Sequence, residues 1–401
     1  MERISVEEAV SRLCSRIMPI TDKAVVPLSA VPGRVLAADL IACTDVPPFH
    51  KSPLDGYALR SEDIAEAGPD NPVVLTVVDK VFAGGWSKRT VEHGQAVRIM
   101  TGAPIPEGAD CVVGQEETDE GESAVRVYTP ILRHQNFSFR GEDISAGTAM
   151  FSKGTRLDWT HIAALAGQGI AEVEVYRQPR VAVMTTGDEL SPPGMPLTPG
   201  KIYDSNGPFL CARLAALHME AVLCPSGADA PEELAKQIQT QLESCDAVIT
   251  SGGVSVGQKD CMPQVAELLN AEVLFHGVAA RPGSPAMAMM AAGKPVIALS
   301  GNPFAAAAIF EAMARPVLEQ LSGCAEEFPR RCTSLLCGSF KKGSAVRRFV
   351  RARLVGEEVF VSEGGHASGM MVGMAGCNCL IDIPADTPPL VEGSKVNILL
   401  F

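Results

Sequence analysis

Three glycine-bearing turns carry the residues of this chain that are suited to holding an anion. The first, Thr185-Thr186-Gly187-Asp188-Glu189-Leu190, directly follows the apolar run RVAVM. Backbone N–H groups at a turn from strand to helix, with Gly and hydroxyl side chains, cradle an oxyanion, and neighbouring carboxylates hold a divalent cation. A plain turn with Asp188 and Glu189 in solvent accounts for these residues equally well. The second turn, from Thr250 through Ser251, Gly252, Gly253 and Ser255 to Gly257, places three glycines and three hydroxyls in eight residues after DAVI, with Lys259 and Asp260 just beyond. Such a loop lets a backbone approach a phosphate closely. It is neither a Walker loop nor G-x-G-x-x-G, so it does not read as a dinucleotide site. The third, Leu299-Ser300-Gly301-Asn302-Pro303, leads into the Ala-rich run AAAAIF, where Pro also suits the first turn of a helix. Asp188, Glu189, Asp229 and Asp260 together offer hard oxygen ligands suited to magnesium, which takes one or two carboxylates plus substrate phosphates.

These turns need a scaffold that brings them to one place. From Arg180 to about Cys324, apolar β-rich runs (VAVMTTG, AVLCPSG, DAVITSGG, PVIALSG) alternate with amphipathic segments. That is the pattern of βαβ units on a parallel sheet, whose ligands sit outside the carboxyl ends of the strands. Ahead of it, Val6, Ala9, Val10, Leu13, Ile17 and Met18 recur at helical spacing. From about Ala24 to Val175 short β-rich runs broken by Gly and Pro predict small sheets or a barrel, and LDWTHIAALAGQGIAEVEV reads as helix, Gly-rich stop and strand. This region carries three stiff turns, around Asp55 (PPFHKSPLDGYA), Thr101 (TGAPIPEGAD) and Arg140-Gly141-Glu142-Asp143, which turn chemistry alone explains locally. From about Pro329 short strands return, with Lys341, Lys342, Arg347, Arg348, Arg351 and Arg353 as a basic stretch that reads first as a solvated strand face.

Composition bounds the rest. At 401 residues the chain exceeds one hydrophobic core of roughly 250–300 residues, so two or more domains are expected. With 34 Lys+Arg against 47 Asp+Glu and a net charge of −13, it lacks the dense cationic footprint of nucleic-acid binding. At 46% hydrophobic and 20% charged it is expected to fold as an ordinary globular protein. No apolar run approaches the roughly 18 residues of a membrane span. The opening MERISVEEAVSRL lacks the pattern of a signal peptide, so a cytoplasmic protein is expected, with its 12 cysteines reduced. Cys332, Cys337, Cys377 and Cys379 lack zinc-site spacing and read as small buried hydrophobes.

Seven segments occur in order: PPFHKSPLDGYA, TGAPIPEGAD, RGEDISAG, TGDEL, IYDSN, TSGGVSVGQKD and SGNP. In this order the chain resembles, over nearly its whole length, the MoeA-type molybdopterin molybdenumtransferases of molybdenum-cofactor synthesis, and is similar to the last domain of gephyrin. The resemblance implies a multidomain α/β-plus-β fold. Residues 1–45 and 146–177 would form a helical linker domain and 46–145 a β-rich domain. Residues 178–326 would form a MogA-like three-layer molybdopterin-binding α/β domain with a mostly parallel sheet, and 327–401 a C-terminal β-barrel-like domain. It implies insertion of molybdate into adenylylated molybdopterin with release of AMP, with Mg2+ as cofactor, in a homodimer whose active site joins the α/β domain of one copy to the β-rich domain of the other. A MogA-like adenylyltransferase would be the upstream donor. The implied catalytic positions are Asp55, Thr101, Asp143, Glu189 and Asp260. The implied substrate-binding positions are Arg140, Thr186, Gly187, Asp188, Ser251, Gly252, Gly253, Ser255, Arg281, Ser300 and Ser368. Metal would be held by Asp188, Glu189, Asp229 and Asp260.

The chain departs from the family pattern in its cations. Where the family reads F-W-K-x-x-x-K-P-G-K-P, this chain has Phe275-His276-Gly277-Val278-Ala279-Ala280-Arg281-Pro282-Gly283-Ser284-Pro285, so three lysines become Gly277, Arg281 and Ser284. His50 and Lys51 replace an Asp-Asn pair. Compensation by Lys51, Lys259 and Arg281 is one expectation. The alternatives are a diverged paralogue that binds molybdopterin or another oxyanion without efficient metal insertion, and a dimeric scaffold. A nucleotide hydrolase is disfavoured by the missing Walker lysine.

Overall fold

The computed structural model describes residues 3–225, 230–254, 261–326, 328–343, 345–362 and 367–401. The chain divides into two compact units. One comprises Met1–Ala38, Lys153–Asp158 and Glu172–Phe401, the other Asp39–Ser152 and Trp159–Ala171.

The first unit opens with α1 (Val6–Cys14), capped by Ser5, whose hydroxyl accepts from the Glu8 N–H at 3.0 Å, with Glu7 and Glu8 in its first turn. Both features favour the positive end of a helix. Val6, Ala9 and Leu13 face inward, as their spacing predicts, but the helix stops before Met18, which is exposed. After it comes β1 (Lys23–Pro27).

The second unit begins with β2 (Leu40–Ile41) and is built on a five-stranded sheet from β3 (Gly56–Leu59), β4 (Val73–Val81), β5 (Gln95–Ile99), β6 (Cys111–Gly114) and β7 (Ala124–Val127) in the order β6-β3-β5-β4-β7. Both faces are covered. Tyr57 and Leu59 pack with Leu75 and Val113, while the intervening Ala58 packs with Val97 and Val112, as the two-residue period of a strand requires. The unit closes with β8 (Ala149–Phe151), paired to β2, and α2 (Trp159–Gly167).

The first unit resumes at β9 (Glu172–Tyr176), antiparallel to β1. It continues as β10 (Arg180–Thr185), β11 (Leu190–Ser191), β12 (Ile202–Tyr203), α3 (Asn206–Ala216), β13 (Glu220–Leu223), α4 (Pro231–Ser244), β14 (Ala247–Ser251), α5 (Met262–Leu268), β15 (Glu272–His276), β16 (Ala280–Arg281), β17 (Met287–Ala291), β18 (Lys294–Leu299) and α6 (Pro303–Ile309). A π turn at Phe310–Ala314 joins α6 to α7 (Arg315–Leu321). The main sheet runs β13-β10-β14-β18-β17-β15. Its first four strands are parallel, as the alternating pattern predicts, whereas β17 runs against them and β15, antiparallel to β17, runs in their direction again. The apolar run SPAMAMMAAG is the source of β17. A two-residue turn joins it to β18, and its central residues Ala292 and Gly293 have φ of 49° and 74°, the conformation of a tight hairpin turn.

The chain ends in β19 (Arg331–Cys337), β20 (Arg347–Val355), β21 (Glu358–Val361), β22 (Cys379–Ile383) and β23 (Lys395–Leu400). Neighbours run β20-β21-β19-β23-β22, and β22 pairs back to β20, which closes a five-stranded barrel. Its core holds Leu336, Val350, Ala352, Val359, Ile381 and Ile398. The expected solvated face of the basic stretch holds for Lys341, Lys342 and Arg353, which are exposed, and is corrected for the other three. Arg351 is fully buried and Arg347 and Arg348 are half-buried, because strand pleating turns alternate residues inward whatever their charge. All twelve cysteines are free thiols.

Asp246, immediately before β14, ties the parallel strands at their amino ends. It accepts from both terminal nitrogens of Arg177 at 2.9 Å and from the Arg180 backbone N–H at 2.7 Å. Burial alone would raise its pKa, but the Arg177 hydrogen bonds and charge and the Arg180 N–H hold it below the ordinary carboxylate range. A depressed pKa contributes stability that is complete above the unfolded value near pH 4 and is lost as pH falls through the folded value. Asp246→Asn is therefore expected to cost about 1.5–3 kcal/mol at neutral pH. Urea unfolding at pH 7 and near pH 3 should show that difference shrinking as the medium is acidified.

Candidate functional site

Strands β10, β14 and β18 are adjacent and parallel, so their carboxyl ends stop side by side. They open onto a cavity of about 590 Å³ lined from residues 185–187, 189, 251–254 and 300–303. The three turns singled out in the sequence thus share one cavity, with Thr186, Gly187, Glu189, Ser251, Gly252, Gly253 and Ser300 all on its wall. Glycine is required at Gly252. Its φ is 104°, and a Cβ there would lie 2.3 Å from the Thr186 carbonyl oxygen. A Cβ on Gly187 would lie 2.6 Å from Oε2 of Glu189, so that carboxylate folds over the first glycine turn.

One expectation is corrected. The Thr185–Leu190 turn does not lead straight into a helix but into the short parallel ribbon of β11 and β12, and α3 begins only at Asn206. At that junction lie residues the sequence reading did not single out as site residues. Asp204 accepts from the Thr185 hydroxyl at 2.8 Å and from the backbone N–H groups of Asn206 and Gly207 at 3.0 Å each. The side-chain amide of Asn206 donates to Ser251 Oγ at 2.7 Å and to the Gly301 carbonyl at 2.9 Å, and Ser251 Oγ donates to the Ser300 carbonyl at 3.1 Å. Asp-Ser-Asn ahead of an apolar helical run is a legible start signal, but the cross-links it makes are not. Two polar atoms are left over: Thr186 Oγ1 and Asn206 Oδ1 have no hydrogen-bond partner among the described residues, although these residues are only 5% and 6% exposed. A buried polar atom without a partner is costly, and both belong to residues lining the cavity.

A second cavity of about 320 Å³ adjoins the first through Pro285, Ser300 and Asn302. Arg281, Arg348 and Ser368 line it. Ser368 is held to α6 because its carbonyl accepts from the Phe304 N–H at 2.9 Å. Buried Arg351 stacks on Phe304 at 4.3 Å and donates to the carbonyls of Met370 and Ala367, fixing the segment that carries Ser368. At two of the three replaced lysine positions the residues present are locally engaged. Gly277 has φ of 102°, where a lysine would be strained, and Ser284 Oγ donates to the Ala280 carbonyl at 2.6 Å.

The second unit holds its own expected residues. Asp55 Oδ1 accepts from both the backbone N–H and the hydroxyl of Thr101 at 2.7 Å, and these two bonds hold its carboxyl below the ordinary range. The Arg140 guanidinium is paired with Asp45, and its backbone N–H donates to His50 Nδ1 at 3.0 Å. Asp143 is exposed, its N–H bonded to the Val46 carbonyl. Asp188 is not on the cavity wall. Its carbonyl accepts from Lys201 Nζ. Asp229, Ser255, Lys259 and Asp260 lie outside the described residues. Among the described residues no three His, Cys, Asp or Glu side chains form a group able to hold a metal ion, and no helix is long and apolar enough to cross a membrane.

A parallel sheet with glycine turns gathered at its carboxyl edge, followed by a closed barrel, defines a multi-part α/β protein with its ligand cavity at the strand ends. Residues 4–169 match the MoeA N-terminal region (domain I and II), residues 182–320 a probable molybdopterin binding domain, and residues 336–401 the MoeA C-terminal region (domain IV). The molybdopterin molybdenumtransferase of Staphylococcus epidermidis is 36% identical over 400 residues, spanning 99% of this chain and 95% of the relative. That of Staphylococcus aureus is 37% identical over 402 residues with the same spans. The molybdopterin biosynthesis MoeA protein of Pyrococcus horikoshii superposes with a TM-score of 0.87 at 28% identity over 100% of both chains. The chain belongs to the MoeA family of molybdenum-cofactor biosynthesis proteins.

Two outcomes test this geometry. Gly252→Ala should disrupt the cavity, lowering affinity for a molybdopterin ligand at least tenfold in fluorescence titration, while the circular dichroism of the fold is retained. Thr101→Val removes the hydroxyl that holds Asp55, so the Asp55 carboxyl should titrate at higher pH, read by carboxyl-carbon NMR.

Proposed function

We propose that this chain inserts molybdate into adenylylated molybdopterin, yielding the molybdenum cofactor and AMP. The observation that carries the reading is the pairing of two complementary subsites. One is a glycine-lined cavity with two buried, unpartnered oxygens, the other an adjoining pocket lined by two guanidiniums. The first suits the pterin–pyrophosphate substrate. The backbone N–H of Gly253 would meet a phosphate oxygen, whereas that of Gly252 is donated to the Leu299 carbonyl at 3.1 Å, so Gly252 serves by its lack of a side chain. Asn206 Oδ1 can only accept, so it asks for a donor such as a ring N–H or a sugar hydroxyl, while the Thr186 hydroxyl can do either. The second suits the small oxyanion, held by Arg281 with the hydroxyls of Ser300 and Ser368. Fixing the two anions in neighbouring pockets removes most of the entropic cost of their encounter.

The residues fit a magnesium ion in that Glu189 folds its carboxylate over the glycine turn and the ion needs few protein ligands beside substrate phosphates. Glu189 would hold it from the cavity wall, joined in this reading by Asp229 and Asp260, whereas Asp188 lies off that wall and does not fit the ligand role expected of it. When bound it would stabilise charge developing on the phosphates as the anhydride opens. The protein would act as a cytoplasmic homodimer, each site completed by the turns around Asp55, Thr101, Arg140 and Asp143 of a second copy. A MogA-like adenylyltransferase would supply the activated substrate. The four-part division drawn from the sequence belongs to the same reading. No observation favours a scaffold or a non-inserting paralogue.

The purified protein, given adenylylated molybdopterin, magnesium and molybdate, should release AMP and incorporate molybdenum together. Glu189→Gln should slow both roughly a hundredfold, the scale of losing one preorganised charge-stabilising group. AMP release without molybdenum incorporation over a wide range of molybdate concentrations would overturn the reading.

A further inference from the structure

In the second unit, Ser138 and Lys51 exchange backbone hydrogen bonds at 3.0 Å each way, an isolated antiparallel bridge. Residues flanking such a bridge share the face opposite the bridged pair, so His50, Phe137 and Phe139 come together. Their ring centroids lie 5.0 Å (His50–Phe137), 5.7 Å (His50–Phe139) and 4.9 Å (Phe137–Phe139) apart. His134 joins them, 5.3 Å from Phe137 and 5.0 Å from Phe139. The bend that carries it puts His134 and Asn136 at φ of 63° and 52°, a left-handed conformation uncommon outside glycine. That bend is fastened to β6: the His134 N–H donates to the Asp110 carbonyl at 2.7 Å and the Asn136 amide to the Val112 carbonyl at 2.9 Å. Backbone strain held in place this way gathers at ligand-binding loops. In a chain that is only 5% aromatic, these rings do not serve the core. Phe139 is 40% exposed, both histidines are exposed, and Phe137 is half-buried. His50 Nδ1 accepts the Arg140 N–H at 3.0 Å, which leaves the ring proton on Nε2. The cluster thus offers an aromatic face and a ring N–H donor together.

We infer that the rings of His50, His134, Phe137 and Phe139 form a stacking shelf for a purine base, the adenine of a nucleotide. Phe139 presents the exposed ring face, and a base stacked on an aromatic side chain gains affinity from its π-face. The His50 Nε2–H suits an aza nitrogen of the purine, an acceptor that a plain hydrocarbon ring lacks. The neighbouring Arg140 guanidinium is already paired with Asp45, so the shelf selects a flat ring rather than an anion. The choice of adenine rests on the function proposed above, whereas the stacking surface does not. That substrate carries two flat ring systems, and with the glycine-lined cavity assigned to pterin and pyrophosphate, the nucleobase is the ring left to be held. The shelf belongs to the Pro-rich turn that carries Asp55 and to the turn at Arg140, the same turns that reading assigns to completing a second copy's site.

The test is calorimetric titration of the full-length protein with AMP, ribose 5-phosphate, unsubstituted pterin and short oligoadenylates, alongside thermal denaturation of each variant. The parent should bind AMP more tightly than ribose 5-phosphate by about fivefold to a hundredfold, the scale of one stacked base. Phe139→Ala should remove that margin, leaving the affinity for ribose 5-phosphate and the melting temperature as in the parent. Phe139→Tyr, which keeps the ring, should bind AMP as the parent does. So should Val74→Ala, at an exposed apolar residue of β4 in the same unit. The inference is overturned if Phe139→Ala keeps the parent's AMP affinity, if the parent binds AMP no more tightly than ribose 5-phosphate, or if Phe139→Tyr or Val74→Ala loses as much as Phe139→Ala. It is also overturned if the Phe139-dependent affinity is greater for pterin than for AMP, or rises steeply with oligoadenylate length, since the rings would then serve another ligand. An AMP affinity that depends on Phe139 in a protein that incorporates no molybdenum would overturn the proposed function and leave the shelf standing. Molybdenum incorporation by a protein whose AMP affinity is indifferent to Phe139 would do the reverse.

Discussion

The site depends on one side-chain amide. Asn206, at the first turn of α3, donates to Ser251 Oγ at the end of β14 and to the Gly301 carbonyl after β18, while its neighbour Asp204 accepts from Thr185 at the end of β10. Three strand ends from distant parts of the chain are thereby held by hydrogen bonds at one helix start. Parallel strands bring these ends to the same edge, but nothing in sheet geometry fixes the spacing of the loops beyond it. The amide and carboxylate do so in a setting screened from water, where such bonds are strong and an unmet partner is expensive. The oxygens left unmet, on Thr186 and Asn206 itself, are the exception that marks where a ligand belongs.

Charge is organised against the overall balance. A protein with net charge −13 places two guanidiniums on the wall of its 320 Å³ cavity by sorting the arginines of one strand. Along β20, Arg347 neutralises Asp382, Arg351 braces backbone carbonyls beneath the Ser368 segment, Arg348 lines the smaller cavity without a carboxylate partner among the described residues, and Arg353 is exposed. Arg348 shares a pleat face with Val350 and Ala352, which fill the barrel core, and this explains its partial burial. The barrel thus reaches the chemistry of the α/β segment through β16, a two-residue strand that joins the parallel sheet's loop to β20.

The second unit shows the same economy of local means. The loop at Asp55 and the loop at Thr101 are distant in sequence but meet through two hydrogen bonds to one carboxylate oxygen. Those bonds keep Asp55 ionised and oriented. Arg140, by contrast, is occupied by Asp45, so its positive charge serves the turn first.

The sequence by itself determined what is local. The amphipathic opening helix, the Pro-started α6, the parallel strands and the glycines of the three turns are all written in short-range pattern, because propensity, capping and φ > 0 requirements act within a few residues. Even the family motifs are contiguous strings. Tertiary structure alone decided what depends on remote register. That β17 returns antiparallel, that a ribbon separates the Thr185–Leu190 turn from α3, and that Arg281 faces Arg348 across 66 intervening positions all follow from which strands pair. Pleat parity then decided which cation of a single basic stretch is buried, bridged or left for a ligand. A composition reading treats those arginines as equivalent, whereas a strand's two faces make them different residues.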